Sequence, residues 1–349
     1  MNICYFGSYD KEYPRNRTII KGLIKNGEKV YECHSNKSII SGRWIILFYN
    51  FLKIKCDLII VGFPGHIDVF PAWILAKIFR KKLVFDAFIS LYDSRCFDRK
   101  DFLPNSWQGK ALWLVDKISC TLPDKILMDT KTHVNYFSQE FHIPVNKFIR
   151  VFVGTDEGIF IPKEYFAKKP LVIGFHGSYL PAQGIEYILK AAKLLKDEQV
   201  VFSLLGNGQE YAKAQDIAKK LALSNVRFLP KIPYEELPNF ISHCDIYLGG
   251  HFGLTPKAFR VIPNKVFEAI AMRKPVIIGK SPATEELFTD NIDCLMVEHD
   301  DPKSLSNSIK LLIADKRLRK KISDNAFLLF KRELTSAKIA KELINDLAK

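Results

Sequence analysis

The stretch from Pro263 to Ile278 carries the side chains whose types and spacing say most about chemistry. It predicts a helix that begins just after a proline and leads into a buried strand. Lys265 and Glu268 are three residues apart, so they share one face of the first turn of this helix. Because a helix N-terminus attracts anions, a lysine there can neutralise a phosphate, and the glutamate can accept hydrogen bonds from a ribose diol. The alternative for the same pair is a solvated ion pair on the surface.

The elements around this helix follow a repeating order, in which short β-rich runs alternate with longer helical ones. Such alternation predicts parallel sheets covered by helices on both faces. Since the pattern restarts at residue 171, we predict an α/β protein of two Rossmann-like, doubly wound domains facing each other across a cleft. The predicted boundaries are a first domain over residues 1–160, a linker over 161–170, a second domain over 171–325 and a helical tail over 326–349.

The charge of the chain favours an anionic partner. The 349 residues include 52 Lys and Arg against 38 Asp and Glu, which gives a formal net charge of +14. More than half of this excess lies in residues 1–82, which hold 14 basic and six acidic side chains. Nucleic acid, an anionic lipid surface and phosphorylated small molecules all fit such a charge. The basic residues form no recognisable nucleic-acid-binding motif, so we predict no nucleic-acid partner.

The seven cysteines form no C-x-x-C pair and no cluster with histidine, which favours reduced thiols in a cytoplasmic protein. The first residues do not resemble a signal peptide. The apolar run Trp44–Leu52 is about half of the ~20 residues that a spanning helix needs, and we interpret it as a buried helix of the first sheet. Its aromatic side chains and flanking cations, with the basic residues 80–82, indicate the alternative: peripheral contact with an anionic membrane surface at the inner face of the cell membrane.

Five segments of the second half resemble glycosyltransferase family four, whose members have the GT-B fold, and together they span most of residues 171–325. They are the loop and helix over 177–186, the turn Gly206-Asn207-Gly208, the strand ending at Pro230, the strand over 244–247, and P-x-K-x-x-E over 263–268.

Two departures from the family pattern concern charge. Arg260 stands where the family often has the first glutamate of E-x7-E, and Ser178 and Gln183 stand where many members have an arginine and a lysine. With those two cations absent, Lys265 and Arg260 are the cations expected to neutralise a diphosphate. The combination of A-Q-G with P-x-K-x-x-E is similar to enzymes that build surface polysaccharides on lipid carriers.

The resemblance implies a retaining hexosyltransferase that moves a sugar from a nucleotide-sugar donor to a saccharide or lipid-linked saccharide acceptor, in polysaccharide or glycoconjugate biosynthesis. A sugar-nucleotide epimerase, or another GT-B enzyme that uses the same donor site, is the alternative. No D-x-D pair is present, so we expect no metal and no further cofactor. The residues expected to contact the donor are Gly177, Ser178, Gln183, Gly206, Asn207, Pro230, Asn264, Lys265 and Glu268.

The departing diphosphate gains charge as the glycosidic bond breaks, so its stabilisation must come from cations and preorganised N–H groups. We expect Lys265, the backbone of Gly177 and Ser178, and the N-terminus of the helix after Gly184 to supply it. The tail, which is apolar at helical spacing over residues 328–347, would cross back to the first domain, as it does in the family.

Candidate residues in the first half are less specific. Asp86 and Asp93 follow a predicted strand and would point into the cleft, where Asp86 can orient or deprotonate an acceptor hydroxyl. Helix capping is the equal alternative for both. Asp86 therefore joins Lys265, Glu268 and Arg260 as a catalytic candidate. His66 is interpreted as a surface loop residue, and the run over 98–101 as a solvated charge cluster.

Overall fold

The structure is a computed structural model that describes residues 1–37, 39–163 and 169–348. The chain forms two compact units. The first contains Met1–Cys96, Lys100–Asp156 and Thr335–Lys349, and the second contains Phe97–Arg99 and Glu157–Leu334. Of the predicted linker, residues 164–168 lie outside the described residues. Residues 326–334, predicted as part of the tail, belong to the second unit.

The first unit is built on a six-stranded parallel sheet with the spatial order β2-β1-β3-β4-β5-β6. Its strands are β1 (Asn2–Gly7), β2 (Lys29–His34), β3 (Leu58–Val61), β4 (Lys82–Asp86), β5 (Lys125–Met128) and β6 (Phe148–Arg150). Its helices are α1 (Pro14–Lys25), α2 (Ile40–Phe51), α3 (Val69–Ile78), α4 (Trp107–Thr121), α5 (Lys131–Phe141) and, at the end of the chain, α13 (Ser336–Ala348).

The second unit is built on another six-stranded parallel sheet, with the order β12-β11-β10-β7-β8-β9. Its strands are β7 (Leu171–Gly177), β8 (Val200–Gly206), β9 (Val226–Leu229), β10 (Ile246–Gly250), β11 (Val276–Gly279) and β12 (Leu295–Val297). Its helices are α6 (Ile185–Leu194), α7 (Tyr211–Lys220), α8 (Leu237–Ser242), α9 (Asn264–Ala271), α10 (Pro282–Glu285), α11 (Pro302–Ala314) and α12 (Lys316–Leu329).

The central strands of both sheets are buried on their two faces, which explains why they are nearly continuous apolar runs. Every residue of β3 and of β8 is buried. The α/β class and the two doubly wound sheets predicted from the alternation are therefore confirmed. In such sheets ligands bind beyond the carboxyl ends of the strands, where the strand order reverses. In the second unit this point lies between β7 and β10.

The helix α13 packs on α1 within the first unit. The two helices approach closely at Gly22, where an added Cβ would lie 2.0 Å from the carbonyl oxygen of Ser336. Asn26 donates to the carbonyl of Ala337 at 2.8 Å, and Lys82 donates to that of Leu347 at 2.8 Å. The close approach therefore depends on a glycine, because any side chain at position 22 would meet backbone.

The helix α2 corrects one expectation from the sequence. Only one face of it is buried, through Leu47 and Phe51, while Ile45 and Tyr49 are exposed. The interpretation of Trp44–Leu52 as a buried helix of the first sheet is therefore wrong for the face that carries Ile45 and Tyr49. Within the described residues, no helix combines the length and apolar character needed to cross a bilayer.

Candidate active site in the second unit

Lys265 and Glu268 lie on α9, a helix whose residues after Asn264 are all buried. The side chain of Lys265 is 4% exposed and that of Glu268 is 2% exposed, so the alternative of a solvated surface pair is wrong. The Lys265 Nζ lies 4.4 Å from the centre of the Phe175 ring on β7. Burial lowers the pKa of Lys265 to about 7, although the nearby Glu268 carboxylate opposes this shift.

Two polar side chains, His176 and Tyr247, lie in a row behind Glu268. The Nε2 of His176, at the end of β7, lies 2.9 Å from Oε2 of Glu268, and its Nδ1 is hydrogen-bonded to the hydroxyl of Tyr247 on β10. Burial, with the neighbouring Cys244 and Glu268, raises the pKa of Tyr247 well above its usual value, so its hydroxyl keeps its proton. A tyrosine that donates to Nδ1 leaves the proton of the imidazole on Nε2, the nitrogen that faces the Glu268 carboxylate.

Glycines bring the ends of β7 and β8 together. Gly177 pairs with Gly206 in register, and a Cβ on Gly206, whose φ is 127°, would lie 2.0 Å from the carbonyl oxygen of Gly177. A Cβ on Gly177 would lie 2.5 Å from Oε1 of Gln183. That oxygen is buried and has no hydrogen-bond partner within the described part of the chain. The loop thus holds an acceptor ready for a donor from a ligand.

Gly250, at the end of β10, lies close to both Gln183 and Lys265. A Cβ added there would lie 3.8 Å from the backbone oxygen of Gln183 and 4.0 Å from Nζ of Lys265. Both groups therefore border the small space that glycine leaves at the end of β10. This is the switch point of the second sheet, where the fold predicts a ligand site.

The remaining donor-contact candidates lie around the same edge. Leu205 pairs with Leu229 in register, so Pro230 follows β9 directly beside Gly206. Ser178, Asn207 and Pro230 are exposed and Asn264 is half-buried. The side-chain oxygen of Asn207 accepts the Gly208 N–H at 2.7 Å. These exposed positions are accessible to a ligand at the strand ends.

Arg260 is half-buried and follows the helical turn Pro256–Phe259, where its N–H donates to the carbonyl of Lys257 at 3.1 Å. Its part in meeting a diphosphate stays a prediction.

Asp98 corrects a second expectation, because the run over 98–101 is not uniformly solvated. Its side chain is fully buried in the second unit. One oxygen accepts the N–H of Ala182 at 3.0 Å and the hydroxyl of Thr255 at 3.3 Å, and the other lies 3.4 Å from Nζ of Lys257. The carboxylate therefore fixes the backbone immediately before Gln183. The sequence around Asp98 does not indicate this role, because the partners of its carboxylate lie 84 or more positions away.

Asp86 is not available to an acceptor, which corrects its assignment as a catalytic candidate. Its two oxygens each lie 2.8 Å from Nε of Arg15, and both side chains are fully buried. Arg15 also donates to the carbonyl of Val151 at 2.9 Å. Burial raises the pKa of Asp86 and the Arg15 guanidinium opposes the shift. The pair ties α1 to the end of β4 inside the first unit.

His66 and Asp93 are also buried, so the surface interpretation of His66 is wrong. The His66 Nε2 lies 3.0 Å from the carbonyl oxygen of Ile89 and 3.4 Å from Oδ1 of Asp116. Burial lowers the pKa of His66 to about 4 and raises that of Asp116 to about 7. The backbone N–H of Asp93 donates to the Ser90 hydroxyl at 2.9 Å. These groups stabilise the loop after β4.

Sequence reasoning missed His176, Tyr247 and Asp98. His176 directly precedes the predicted donor glycine at the end of a buried strand, a position that could have marked it. Tyr247 carries no such signal, since an aromatic residue inside a strand normally indicates the core.

Comparison with known proteins shows similarity to glycosyltransferases. Residues 156–328 match the family model described as glycosyl transferases group 1. An uncharacterized glycosyltransferase of Methanocaldococcus jannaschii is 24% identical over 257 residues, which cover 73% of this chain and 66% of that protein. The Campylobacter jejuni N,N'-diacetylbacillosaminyl-diphospho-undecaprenol alpha-1,3-N-acetylgalactosaminyltransferase is 25% identical over 185 residues, covering 53% of this chain and 46% of the enzyme.

Among solved structures, that of Anabaena Alr3699/HepE in complex with UDP and glucose superposes with a TM-score of 0.74 at 16% identity, covering 100% of this chain and 99% of that one. Such a likeness concerns the fold. The chain thus has the GT-B fold, and its residues 156–328, just under half of the chain, match the glycosyl transferases group 1 model.

Proposed function

We propose that this protein transfers a sugar from a nucleotide-sugar donor to a saccharide or lipid-linked saccharide acceptor. The observation that carries the proposal is the buried ammonium of Lys265, which borders the glycine-rich ends of β7 and β10 in the matched family region. A buried ammonium is costly to keep charged, and burial here lowers the pKa of Lys265 to about 7. An anionic ligand would compensate that cost, and a nucleoside diphosphate provides the charge.

The proposed chemistry is stabilisation of the leaving diphosphate. Lys265 sits in the first turn of α9, so its charge and the helix N-terminus act on the same anion. The backbone N–H groups of Gly177 and Ser178 would add donors, as would the N-terminus of α6. Because these groups are held by the fold before the ligand arrives, they need little reorganisation as charge develops. Since they can supply the whole stabilisation, we propose that no metal ion or further cofactor takes part.

Glu268 would accept hydrogen bonds from the ribose diol. Its carboxylate is oriented by His176, which is in turn held by Tyr247. We further propose that transfer proceeds with retention, with the acceptor hydroxyl approaching on the side of the leaving group. In this mechanism the departing phosphate takes the acceptor proton, which agrees with the burial of Asp86 in its ion pair with Arg15.

The names of relatives support a hexosyl-type transfer and a lipid-linked acceptor. The Campylobacter enzyme is named for transferring N-acetylgalactosamine to a sugar on diphospho-undecaprenol. A putative colanic acid biosynthesis glycosyl transferase of Escherichia coli is 28% identical over 122 residues, 34% of this chain and 28% of that protein. We propose a role in polysaccharide or glycoconjugate biosynthesis, in the cytoplasm at the inner face of the membrane. The seven cysteines, all buried and free, agree with a reducing compartment.

A thermal-shift screen against UDP-, GDP- and CDP-linked sugars tests the donor site, because a ligand at 100 times its Kd stabilises the folded state by about 2.7 kcal/mol. We expect one nucleotide to raise Tm in the wild type and not in Lys265→Met. Lys190→Met, which removes an exposed lysine of α6, serves as the matched control.

Product analysis with a radiolabelled donor then separates transfer, which needs an acceptor, from epimerisation, which does not. The absence of a shift with all three nucleotides would contradict the proposal, as would an equal shift in Lys265→Met.

A further inference from the structure

The helix α2 has two apolar stripes, and only the inner one packs against the core of the first unit. The inner stripe contains Leu47 and Phe51, both buried. The outer stripe follows the spacing i, i+3, i+4, i+7, and its side chains are between 41% and 70% exposed: Ile45, Phe48, Tyr49 and Leu52. A soluble helix normally presents polar residues on that side. The outer stripe therefore indicates a surface with an apolar partner.

The neighbouring helix α3 extends this surface. Trp44 and Phe70 have ring centres 5.9 Å apart, and Phe51 and Phe79 have ring centres 5.5 Å apart, so the two helices are in contact along their length. The helix α3 and the residue after it add further exposed apolar side chains: Phe70, Ile78 and Phe79. We name the outer stripe together with these three residues the α2–α3 face.

Cations outnumber carboxylates around the α2–α3 face. Residues 33–56 and 69–85, which contain both helices, include no Asp or Glu. Five cations follow the C-terminal ends of the helices or lie on their last turn: Lys53, Lys55, Lys77, Arg80 and Lys81. The Lys53 Nζ lies 4.0 Å from the centre of the Tyr49 ring, so charge and apolar surface are adjacent. Arg43, by contrast, is paired with Asp68 at 3.0 Å.

A cavity of about 370 Å³ lies where the two helices end. Its apolar wall includes Phe51, Leu52 and Phe79, and Lys55 and Lys81 line it as well. Asp57 also lines the cavity, but its carboxylate already accepts the N–H of Asn2 at 2.8 Å. Such a cavity combines room for a hydrocarbon segment with two ammonium groups for a phosphate.

We propose that the α2–α3 face docks the first unit onto an anionic lipid bilayer, with the phosphate of one lipid held by Lys55 and Lys81 at the cavity. Apolar and aromatic side chains between lysines suit the boundary between headgroups and acyl chains. A second copy of this chain is a poor occupant, because it would bring the same cations against each other. This docking is independent of the sugar-transfer chemistry.

Vesicle flotation tests the proposal with the full chain. We expect binding to vesicles of phosphatidylcholine and phosphatidylglycerol (7:3) at low salt, weaker binding at 0.5 M salt, and little binding to pure phosphatidylcholine. Each Lys or Arg near an anionic leaflet strengthens binding about fivefold, so Lys55→Glu with Lys81→Glu should weaken it at least tenfold. Tyr49→Ser with Leu52→Ser should weaken binding without changing the charge.

Two matched controls keep the test specific. Lys219→Glu with Lys220→Glu on α7 makes the same change in net charge on exposed lysines of the second unit, and Leu328→Ser removes an exposed leucine of α12. Both should bind vesicles like the wild type, and all variants should keep the thermal shift with nucleotide. That shift reports on the fold and the donor site separately from docking.

Three results would overturn the proposal. The first is equal binding to anionic and neutral vesicles. The second is an equal loss in the α7 control, which would make net charge rather than the α2–α3 face responsible. The third is a dimer in sedimentation velocity that Tyr49→Ser with Leu52→Ser dissociates, which would assign the face to a second copy.

Discussion

Binding of a nucleoside diphosphate should be accompanied by uptake of a proton at Lys265. Burial holds the pKa of this lysine at about 7, against an ordinary value of 10.5. At pH 8 only about a tenth of the free protein then carries the ammonium. A diphosphate at this site favours the charged form, so its binding raises the pKa and draws in a proton. With a pKa above 9 in the complex, the uptake approaches about 0.9 protons at pH 8 and about 0.1 at pH 6.

Isothermal titration calorimetry measures this uptake directly. UDP is titrated at pH 8 in two buffers that differ in ionisation enthalpy, and the difference in observed heat gives the number of protons. The affinity should also weaken about five- to tenfold between pH 8 and pH 9, because a proton must be supplied for each ligand bound. The second ionisation of a phosphate lies near pH 6, so the ligand itself contributes little at pH 8.

Lys265→Met keeps the length of the side chain and removes the titrating group. It should abolish the proton uptake and weaken UDP binding about 10- to 100-fold, which corresponds to a charge-assisted hydrogen bond of about 1.5–3 kcal/mol. Lys190→Met, on the exposed side of α6, should retain both properties of the wild type. Undiminished proton uptake in Lys265→Met would refute the assignment of Lys265 to the diphosphate.

Three further predictions follow from the same contacts. The pKa of Lys265 is lower in the folded than in the unfolded chain, so the charged lysine destabilises the folded state fully below pH 7, and this destabilisation disappears as the pH rises toward 10.5. Lys265→Met should therefore raise the free energy of unfolding at pH 6 by a few kcal/mol, measured by urea denaturation. His176→Ala should raise the donor KM about tenfold with a smaller change in kcat, and should reduce the preference for UDP over 2'-deoxy-UDP, because Glu268 loses the imidazole that lies 2.9 Å from its carboxylate. Asp98→Ala should destabilise the second unit by about 3–5 kcal/mol in the same denaturation assay, because Lys257 loses its buried partner.

Controls for these predictions come from the same contacts. The stabilising effect of Lys265→Met should vanish as the pH approaches 10, and a constant effect across that range would contradict the linkage. His176→Gln, which can place a donor near Glu268, should restore part of the KM and the selectivity. If both histidine variants have a lower kcat but an unchanged donor KM, His176 does not act through Glu268. Asp101→Ala, in the same run but on an exposed carboxylate paired with Arg95, should cost much less than Asp98→Ala.

The two sheets were predictable from the sequence because their signals are local. Strands buried on both faces require continuous apolar runs, and crossover helices require longer segments between them. The pairing of Lys265 with Glu268 on one turn was predictable for the same reason, since three residues always span about one turn. The family resemblance placed both at a donor site by matching short segments.

Other features of the site were not predictable, because the groups that meet are distant in sequence. Arg15 meets Asp86 across 71 positions and Asp98 meets Ala182 across 84, and strand order, rather than any local pattern, brings them together. The position of Asp86 at the end of a strand predicts a base for the acceptor, but both of its oxygens contact Arg15 on α1. Charged residues are usually exposed, so the run over 98–101 gave no sign that one of its members is buried.

The sequence alone determined the class of fold and the set of residues that share a helical turn, because chain geometry imposes periods of two and about 3.6 residues on any buried element. Only the tertiary structure decided which charges lie inside and which apolar side chains lie outside. Lys265 loses its water because β7 covers it with Phe175, and the outer stripe of α2 stays exposed because the core needs only one face of the helix. Burial is a property of the packed neighbours, and those neighbours come from parts of the chain that no local window contains.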